Sequence, residues 1–415
     1  MVRRIRADWG NFGVVKGAWG PVRFGVVALL VAMAMLLVPL AVHRFDVTAF
    51  INAGDEFVAR AAVPVPIAVR RNSGGYDGQF YFRLALNPDT RRRTENGITF
   101  DNAPWRMQRI LYPAIVHVLS APDLRLVPYM LVAVNLAGLF FLAFFARLLA
   151  VQAHLPGWFA IAVMAWPGYL ITLEHDTTEI VAVAFLAGAV WALLARRYTV
   201  YAVLAGCATL TRETSILLFG GIFAAHGLDW LASAVRARSL AWGKAARVGL
   251  CLLALVPFLV WRQVMTLRWG QSPGAAGATL LDWPVKGLVL RLAECFGVAH
   301  GPVVAPFASR LESQLVVVTL AAFAGVIALV LVRLRRVPVW DVRIAGLALG
   351  WALVAMLHLS MNAVGWDHMT GYLRGCTEFW FASVVLVALS GFQVSRVQAI
   401  GGLGVAAIVM LGNLS

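Results

Sequence analysis

The chain has 415 residues, of which 61% are hydrophobic and only 13% are charged, and its mean hydropathy is +0.79. This composition excludes an ordinary soluble globular protein and indicates a polytopic membrane protein. A net charge of +15 would suggest nucleic-acid binding in a soluble chain. Here we interpret the basic residues as anchors that hold loops in the cytoplasm, so no nucleic-acid partner is expected. The four cysteines form no CxxC pair, which indicates neither a metal cluster nor a disulfide framework.

Nine apolar runs have the length and composition of membrane spans. They lie near residues 24–43, 124–148, 157–174, 178–195, 248–267, 315–333, 343–360, 378–394 and 398–413. We interpret the first run as a retained helix, because no small-residue cleavage site follows it. The sequence therefore predicts one all-α integral membrane domain over residues 1–415, with about 9 to 11 membrane segments.

A further apolar run, between residues 200 and 230, is interrupted by the polar residues 211–214 (TRET). A single crossing would place the basic segment 236–247 outside the cell, whereas a re-entrant pair of half-helices would keep it in the cytoplasm. We favour the re-entrant pair, because short arginine-rich loops then lie on the inner side at every turn.

This topology places two long segments, residues 44–123 and 268–313, on the outer side of the membrane. Each contains amphipathic stretches that we expect to lie on the membrane surface. Residues 106–120 (RMQRILYPAIVHVLS) form one of them, since this stretch is too short and too basic at its start for a confident crossing.

Residues 75–89 (GYDGQFYFRLALNPD) lie in the first outer segment. The Asp77-Gly78 pair predicts a turn before a short helix that continues through Leu86. Asp77 would cap that helix if its carboxylate accepts backbone N–H groups of the first turn. The aromatic residues 80–82 would also anchor the helix at the headgroup level and hold Asp77, as a catalytic base, beside a lipid-borne substrate. The two interpretations are compatible.

Residues 174–179 (EHDTTE) place three carboxylates and one imidazole at the predicted outer junction of two spans. Such a group is costly at a membrane boundary unless it is paired, hydrated or used. The structural alternative is a solvated loop in which Asp176 or Thr177 caps the next helix. The chain has no His-x-x-x-His spacing and no paired cysteines, so a zinc site is not expected. No cofactor is firmly implied, although a divalent cation (Mg²⁺ or Mn²⁺) held by Asp77 and Asp176 stays open.

The polar pair Arg212 and Glu213 interrupts an apolar stretch, so it should face protein or a water-filled cavity rather than lipid. One interpretation is a buried structural ion pair that fixes the re-entrant turn. The other is that Arg212 offers its guanidinium to a phosphate.

Arg374 lies in the late outer segment 371–378 (GYLRGCTE), near the predicted headgroup plane. Its guanidinium would match the oxygens of a lipid phosphate, or it would snorkel and pair with Glu378 four residues later. Arg106 and Arg109 are further candidates for phosphate binding, with a plain surface role as the alternative.

Four motifs together resemble the multi-spanning GT-C glycosyltransferases: YDGQFYFRLALNP in the first outer loop, HDTTE in the second, LTRET in the broken pair and a late YLR. More narrowly, they resemble bacterial proteins associated with cell-surface glycopolymer formation. The resemblance implies inverting transfer of a sugar from a polyprenyl-phosphate sugar to a glycan, lipid or protein acceptor. It also implies a multi-pass protein of the bacterial inner membrane, with the active site facing the periplasm or exterior.

The resemblance assigns expected roles to individual residues. Asp77 matches the acidic residue of the first loop and is the expected general base, while Asp176 matches the acidic position of the second loop and would orient the acceptor, the base or a metal. Arg374 or Arg212 would stabilise charge on the departing lipid phosphate. The chain lacks an Asp-x-Asp pair in its first outer loop, which puts an obligatory metal in doubt. Other expected substrate-binding residues are Tyr76, Gln79, Arg83, Arg106, Arg109, His175, Glu179, Glu213, His368 and Tyr372.

Two other classes of function stay open at this point. A flippase or transporter of a lipid-linked sugar would place polar groups at the midplane of broken helices in related halves, and only Arg212 and Glu213 have that character. A non-catalytic scaffold of a glycan assembly complex would not bring the polar clusters into one cavity. Wide separation of Asp77, Asp176 and Arg374 would favour the scaffold.

Overall fold

The chain is built almost entirely from helices. A computed structural model describes residues 20–155, 158–296, 310–338, 340–366 and 369–392. The predicted span at 398–413 lies outside these residues. Within them, the α-helices are α1 (Pro21–Val42), α2 (Gly78–Leu86), α3 (Ala103–Met107), α4 (Leu111–Ser120), α5 (Val127–Gln152), α6 (Trp158–Met164), α7 (Gly168–Glu174), α8 (Glu179–Leu194), α9 (Tyr198–Thr211), α10 (Ser215–Ala237), α11 (Trp242–Leu253), α12 (Val256–Trp269), α13 (Pro273–Ala278), α14 (Lys286–Cys295), α15 (Arg310–Leu334), α16 (Val342–Leu359), α17 (Met369–Gly375) and α18 (Thr377–Leu389). The predicted all-α class is confirmed.

Six stretches of helix in the described part of the chain are long and apolar enough to cross a membrane. A helix rises 1.5 Å per residue, so about 20 apolar residues cover the hydrocarbon core. The shorter apolar helices of the described residues include α8, α9 and α18. The chain is therefore a multi-pass membrane protein. The six stretches are Pro21–Val42, Leu124–Gln152, Ser215–Ala237, Trp242–Trp269, Val316–Leu334 and Val342–Leu359.

One apolar run is divided more finely than the sequence predicts, and another is divided where predicted but into a longer second helix. The run at 157–174 forms α6 and α7, because Pro167 cannot continue a helix that precedes it. The interrupted run at 200–230 forms α9 and α10, joined at residues 212–214. The second of these is longer than a half-helix, since its apolar residues continue beyond residue 230.

The first long segment, residues 44–123, folds into a cap over one end of the bundle. Two short strands, β1 (Ala53–Gly54) and β2 (Val69–Arg70), pair in parallel. A hairpin follows, formed by β3 (Thr94–Glu95) and β4 (Ile98–Thr99), and its turn residues Asn96 and Gly97 both have positive φ, as two-residue hairpin turns require.

Helix α2 lies inside this cap, and all nine of its residues are buried. Phe80, Tyr81 and Phe82 have exposed fractions of 2%, 0% and 0%. They belong to a hydrophobic cluster that also includes Phe100 from the cap and Val116 from α4. The expectation that these aromatic residues anchor α2 in the headgroup region is therefore wrong, because they hold the cap together instead.

Helices α10 and α16 cross at a point where both carry glycine. A Cβ atom added to Gly221 would lie 2.2 Å from the backbone nitrogen of Gly350. Small residues at such crossings let two membrane helices approach closely. The neighbouring Gly220 faces open space, with nothing within 4 Å of an added Cβ atom.

We expect Gly221→Val to force α10 away from α16 and to destabilise the protein by about 1–3 kcal/mol, the usual range for overpacking. The matched control is Gly220→Val, which makes the same change of residue one position along the same helix. Thermal unfolding of the purified variants measures both. Equal midpoints for the two variants would contradict this account of the crossing.

Candidate active site

Asp77 lies immediately before α2, where the cap meets the helix bundle. Its carboxylate accepts one hydrogen bond on each oxygen, from Arg106 Nη1 at 2.6 Å and from Arg374 Nη2 at 2.9 Å. Arg109 Nη1 lies 3.9 Å from the second oxygen. The Asp77 side chain is 15% exposed, so three guanidinium groups replace most of its contact with water.

The predicted helix cap is absent at Asp77. This residue has helical φ and ψ angles, and its side chain makes no capping hydrogen bond to α2. The arginines occupy its oxygens instead. Helix α2 also starts in close contact with the second polar loop, since a Cβ atom added to Gly78 would lie 2.4 Å from the carbonyl oxygen of His175. The glycine therefore brings the loops that contain Asp77 and residues 174–179 together.

Arg106 and Arg109 each divide their guanidinium groups between two acids. Arg106 donates to both carboxylate oxygens of Asp101 at 3.0 and 2.6 Å, in addition to its bond to Asp77. Arg109 binds Glu213 through Nε at 2.7 Å and through Nη2. Its remaining nitrogen, Nη1, donates to the Tyr81 hydroxyl at 3.0 Å.

Arg374 differs from Arg106 and Arg109, because it binds no carboxylate through two nitrogens. It makes a single bond to Asp77, and its Nη1 lies 3.4 Å from Glu179 Oε1. Its Nε and Nη1 atoms are buried and have no hydrogen-bond partner. The guanidinium lies over the ring of Tyr76, with Cζ 4.9 Å from the ring centre.

Arg212 fixes the backbone of the segment that carries Arg374. Its Nη1 donates to Glu378 Oε2 at 2.6 Å, and its Nη2 donates to the carbonyl oxygen of Gly375 at 2.9 Å. The other oxygen of Glu378 accepts hydrogen bonds from Thr214 at 2.8 Å and Ser215 at 3.2 Å. This buried cluster locks the junction of α9 and α10 to the start of α18.

Neither proposed pairing of neighbours in sequence occurs in this cluster. Glu213 binds Arg109 rather than Arg212, and Glu378 binds Arg212 rather than Arg374. Arg212 is therefore positioned to act through the backbone of residues 374–375.

The charges around Asp77 strongly favour the ionised form of its carboxyl group. Burial works to raise the pKa of its carboxyl group, but the charges of Arg106, Arg374 and Arg109 outweigh burial and hold the pKa well below its usual range. Burial also opposes the charge of Arg374, yet Glu179 and Asp77 raise the pKa of its guanidinium well above the usual value. The site is thus a set of ionised groups that stabilise one another.

Asp176 lies in the neighbouring loop but takes no part in this network. It is fully buried, and neither carboxylate oxygen has a hydrogen-bond partner. Burial raises the pKa of its carboxyl group well above the usual range. The expected helix cap is also absent here, because the residue before α8 is Thr178 and its side chain makes no capping bond.

The other acids and the imidazole of this loop have separate environments. Glu179 faces Arg374 and Arg212, at 3.4 and 3.9 Å. The ring of His175 packs against Tyr76, with 4.5 Å between the ring centres, and burial lowers its pKa to about 4. Burial raises the pKa of Glu174 to about 7.

Three of the predicted substrate-binding residues form hydrogen bonds with other groups of the protein. Gln79 accepts a hydrogen bond from Gly54 N at 3.1 Å and donates to the carbonyl oxygen of Gly74 at 2.8 Å. Arg83 binds backbone carbonyl groups of residues 92 and 93 and stacks on a phenylalanine ring. Tyr372 is buried and bonded to a threonine of α15. His368 lies outside the described residues.

A divalent cation bridging Asp77 and Asp176 does not fit this arrangement. Both oxygens of Asp77 already accept hydrogen bonds from cationic arginines, and the oxygens of Asp176 are enclosed in the protein. Across the described ranges, no group of three or more His, Cys, Asp and Glu side chains is arranged to hold a metal ion.

Sequence reasoning missed three residues of the network: Glu378 as the acceptor for Arg212, Tyr81 and Asp101. Glu378 carried a signal, since a carboxylate in the first turn of a long apolar helix needs a partner. Tyr81 and Asp101 carried none, because their roles depend on how the cap folds.

No protein-family model matches the chain, and no curated protein matches it in sequence. Among solved structures, the chain is similar to the crystal structure of ArnT from Cupriavidus metallidurans bound to undecaprenyl phosphate. The superposition has a TM-score of 0.48 and a sequence identity of 13%, and it covers 91% of this chain. The chain spans 63% of the length of that ArnT chain. The geometry of the described residues is therefore the basis for the functional argument.

The environment of Asp176 leads to a prediction about stability. Its folded-state pKa is raised, so above pH 4 the folded protein holds a proton that the unfolded chain releases, and stability falls as pH rises. Asp176→Asn keeps the neutral shape and removes this dependence. We expect the variant to be more stable than the wild type by a margin that increases as the pH rises above the unfolded pKa of about 4, measured by thermal unfolding. A margin that does not change with pH would contradict the raised pKa of Asp176.

Proposed function

We propose that the protein is a GT-C type membrane glycosyltransferase. It transfers a sugar from a polyprenyl-phosphate donor to an acceptor hydroxyl, with inversion at the anomeric carbon. The observation that carries the proposal is the pairing of Asp77 with Arg374, which places an ionised carboxylate 2.9 Å from a cation suited to phosphate binding.

Arg374 supports the assignment of the phosphate site. Phosphate oxygens accept several hydrogen bonds, and a guanidinium offers its N–H groups in a planar fork that matches them. Two nitrogens of Arg374 are buried without an acceptor. An unmatched buried N–H group is costly, so a ligand that supplies oxygens here would be bound favourably.

Asp77 would act as the general base. Its carboxylate removes the proton of the acceptor hydroxyl while that oxygen attacks the anomeric carbon. The bond from this carbon to the phosphate oxygen breaks, and its electron pair leaves with the lipid phosphate, whose growing charge Arg374 stabilises. Because the leaving group is already a phosphate, base and positioning suffice without a strong general acid.

The orientation in the membrane follows from charge. The short loops at the end of the bundle opposite Asp77 are rich in arginine, for example Arg196 and Arg197 between α8 and α9. Basic short loops stay in the cytoplasm. The site would therefore face the periplasm or exterior of a bacterial inner membrane, and a donor lipid would enter sideways between helices.

The remaining predicted roles concern the acceptor. Asp176 would orient the acceptor or the base from the second loop, although its buried oxygens favour an indirect effect. Tyr76 and His175, stacked beside Arg374 and Asp77, would form a wall of the acceptor site.

Asp77→Asn tests the catalytic role. We expect it to lower transfer by about 10²-fold or more, the usual contribution of a general base, while membrane insertion stays intact. The assay incubates purified protein with a panel of polyprenyl-phosphate sugars and detects released lipid phosphate. Asp89→Asn is the control, because Asp89 is a carboxylate of the same segment that is 73% exposed and pairs with Arg268. Full activity of Asp77→Asn would end the assignment.

Arg374→Lys tests the phosphate site. Lysine keeps the positive charge but loses the planar fork, so we expect kcat/KM for the donor to fall by about tenfold or more. Arg268→Lys, at the pair with the exposed Asp89, is the matched control and should have little effect. Protein in liposomes that moves a labelled lipid-linked sugar across the bilayer without forming a glycosidic bond would instead favour a flippase.

A further inference from the structure

Asp77 occupies the place in the network where an anionic ligand would be expected. The other acids of the network are bound more firmly. Glu213 and Asp101 each accept two hydrogen bonds from one arginine. Glu378 accepts from Arg212 and also from Thr214. No single arginine binds Asp77 through two hydrogen bonds. It takes one hydrogen bond from Arg106 and one from Arg374, and these arginines come from segments more than 260 residues apart.

Of the arginines around Asp77, Arg374 has the most buried nitrogens without a hydrogen-bond acceptor. Its contact with Glu179 is 3.4 Å long, and its Nε and Nη1 atoms have no hydrogen-bond acceptor. Its backbone is held in place by Arg212, so the guanidinium can turn between acceptors while its Cα atom stays fixed. An incoming phosphate and the Asp77 carboxylate are both anions that need the same N–H groups.

We infer that the donor phosphate and the Asp77 carboxylate compete for Arg374, so that binding of the donor releases Asp77 to act as a base. This inference rests on the proposed function and adds an order of events to it. Before the donor binds, Arg374 holds Asp77 as an ion pair. After the donor binds, Arg374 faces the phosphate, and the freed oxygen of Asp77 is available to the acceptor hydroxyl.

The competition has a chemical advantage. Several nearby cations stabilise the ionised form of a carboxylate, so it accepts a proton poorly. The efficiency of a general base increases as its pKa approaches the working pH. A carboxylate that loses one cation only when the donor is present becomes a better base at the moment when attack on the anomeric carbon is useful.

Binding of undecaprenyl phosphate to the full-length protein in detergent tests the inference. Asp77→Asn removes the competing charge and keeps the shape, so we expect the lipid phosphate to bind about tenfold more tightly, or by about 1.4 kcal/mol. Asp101→Asn is the matched control. It removes a carboxylate from Arg106 but leaves Arg374 paired with Asp77, so we expect less than about a twofold change in affinity.

Two further ligands identify the source of the effect. Undecaprenol has the same chain without a phosphate, and its binding should be equal in both variants and in the wild type. Inorganic phosphate has the charge without the chain. If it also binds Asp77→Asn more tightly, the site recognises any phosphate; if only the lipid does, the site recognises a lipid headgroup.

The outcomes separate this inference from the proposed function. Unchanged or weaker binding of undecaprenyl phosphate to Asp77→Asn, with transfer by the wild type intact, contradicts the competition alone. A wild type that neither binds lipid phosphate nor transfers sugar contradicts both.

A measurement on the wild type avoids any defect of the variant. Asp77 in the free protein faces the charged or titratable groups of Arg106, Arg109, Arg374, Tyr81 and His175. Loss of the Arg374 contact raises the pKa of Asp77 in the donor complex, and the base must be deprotonated to work. As pH falls, kcat should therefore decline at a higher pH than kcat/KM for the donor. Coincident acid limbs would overturn the inference.

Discussion

The arrangement of this end of the bundle depends on one constraint, which is that the carboxylate of Asp77 is largely withdrawn from water and must be neutralised by the protein. Its two hydrogen-bonding arginines come from the cap and from the segment before α18. The ion pairs therefore tie the cap to the last part of the described chain. Breaking such a buried pair from one side costs about 3–5 kcal/mol, because the remaining charge loses its partner. The same contacts that assemble the site also close the fold around it.

The pairs form a continuous network rather than separate bridges. Arg109 lies between Glu213 and Asp77. Arg374 in turn lies between Asp77 and Glu179. Arg212 connects Glu179 to the buried Glu378 at the other end. In a medium of low polarity, a change at one member alters the charges felt by the next. A ligand that takes up one guanidinium would therefore change the charge balance at its neighbours.

The parts of this structure that the sequence predicts are those governed by local composition. Apolar runs predict most of the spans, since a lipid solvent imposes length and hydropathy. Ionisable residues beside those runs predict Asp77, Arg374 and Arg212, because such groups are rare there without a role. The choice of partners is not local. Arg212 has Glu213 beside it in sequence, yet it binds Glu378. Both residues lie in the junction between α9 and α10, where Arg212 has an extended backbone and each side chain has a partner distant in sequence. The burial of α2 was missed for the same reason, because aromatic residues suit a membrane interface and a folded cap equally well.

The network also bears on the choice between sugar transfer and lipid transport. Alternating access requires one group of helices to move away from another around a fixed site. At this end of the bundle, such a movement would separate Arg374 from Asp77 and Glu378 from Arg212. Two buried ion pairs would break together, which opposes the movement unless water or a ligand replaces the lost partners. Transfer needs only that a donor and an acceptor reach the site and that the Arg374 guanidinium turns locally, while the helices keep their positions. Donors held in place by such a fixed framework stabilise developing charge effectively. The geometry therefore favours a fixed catalytic site over a moving gate.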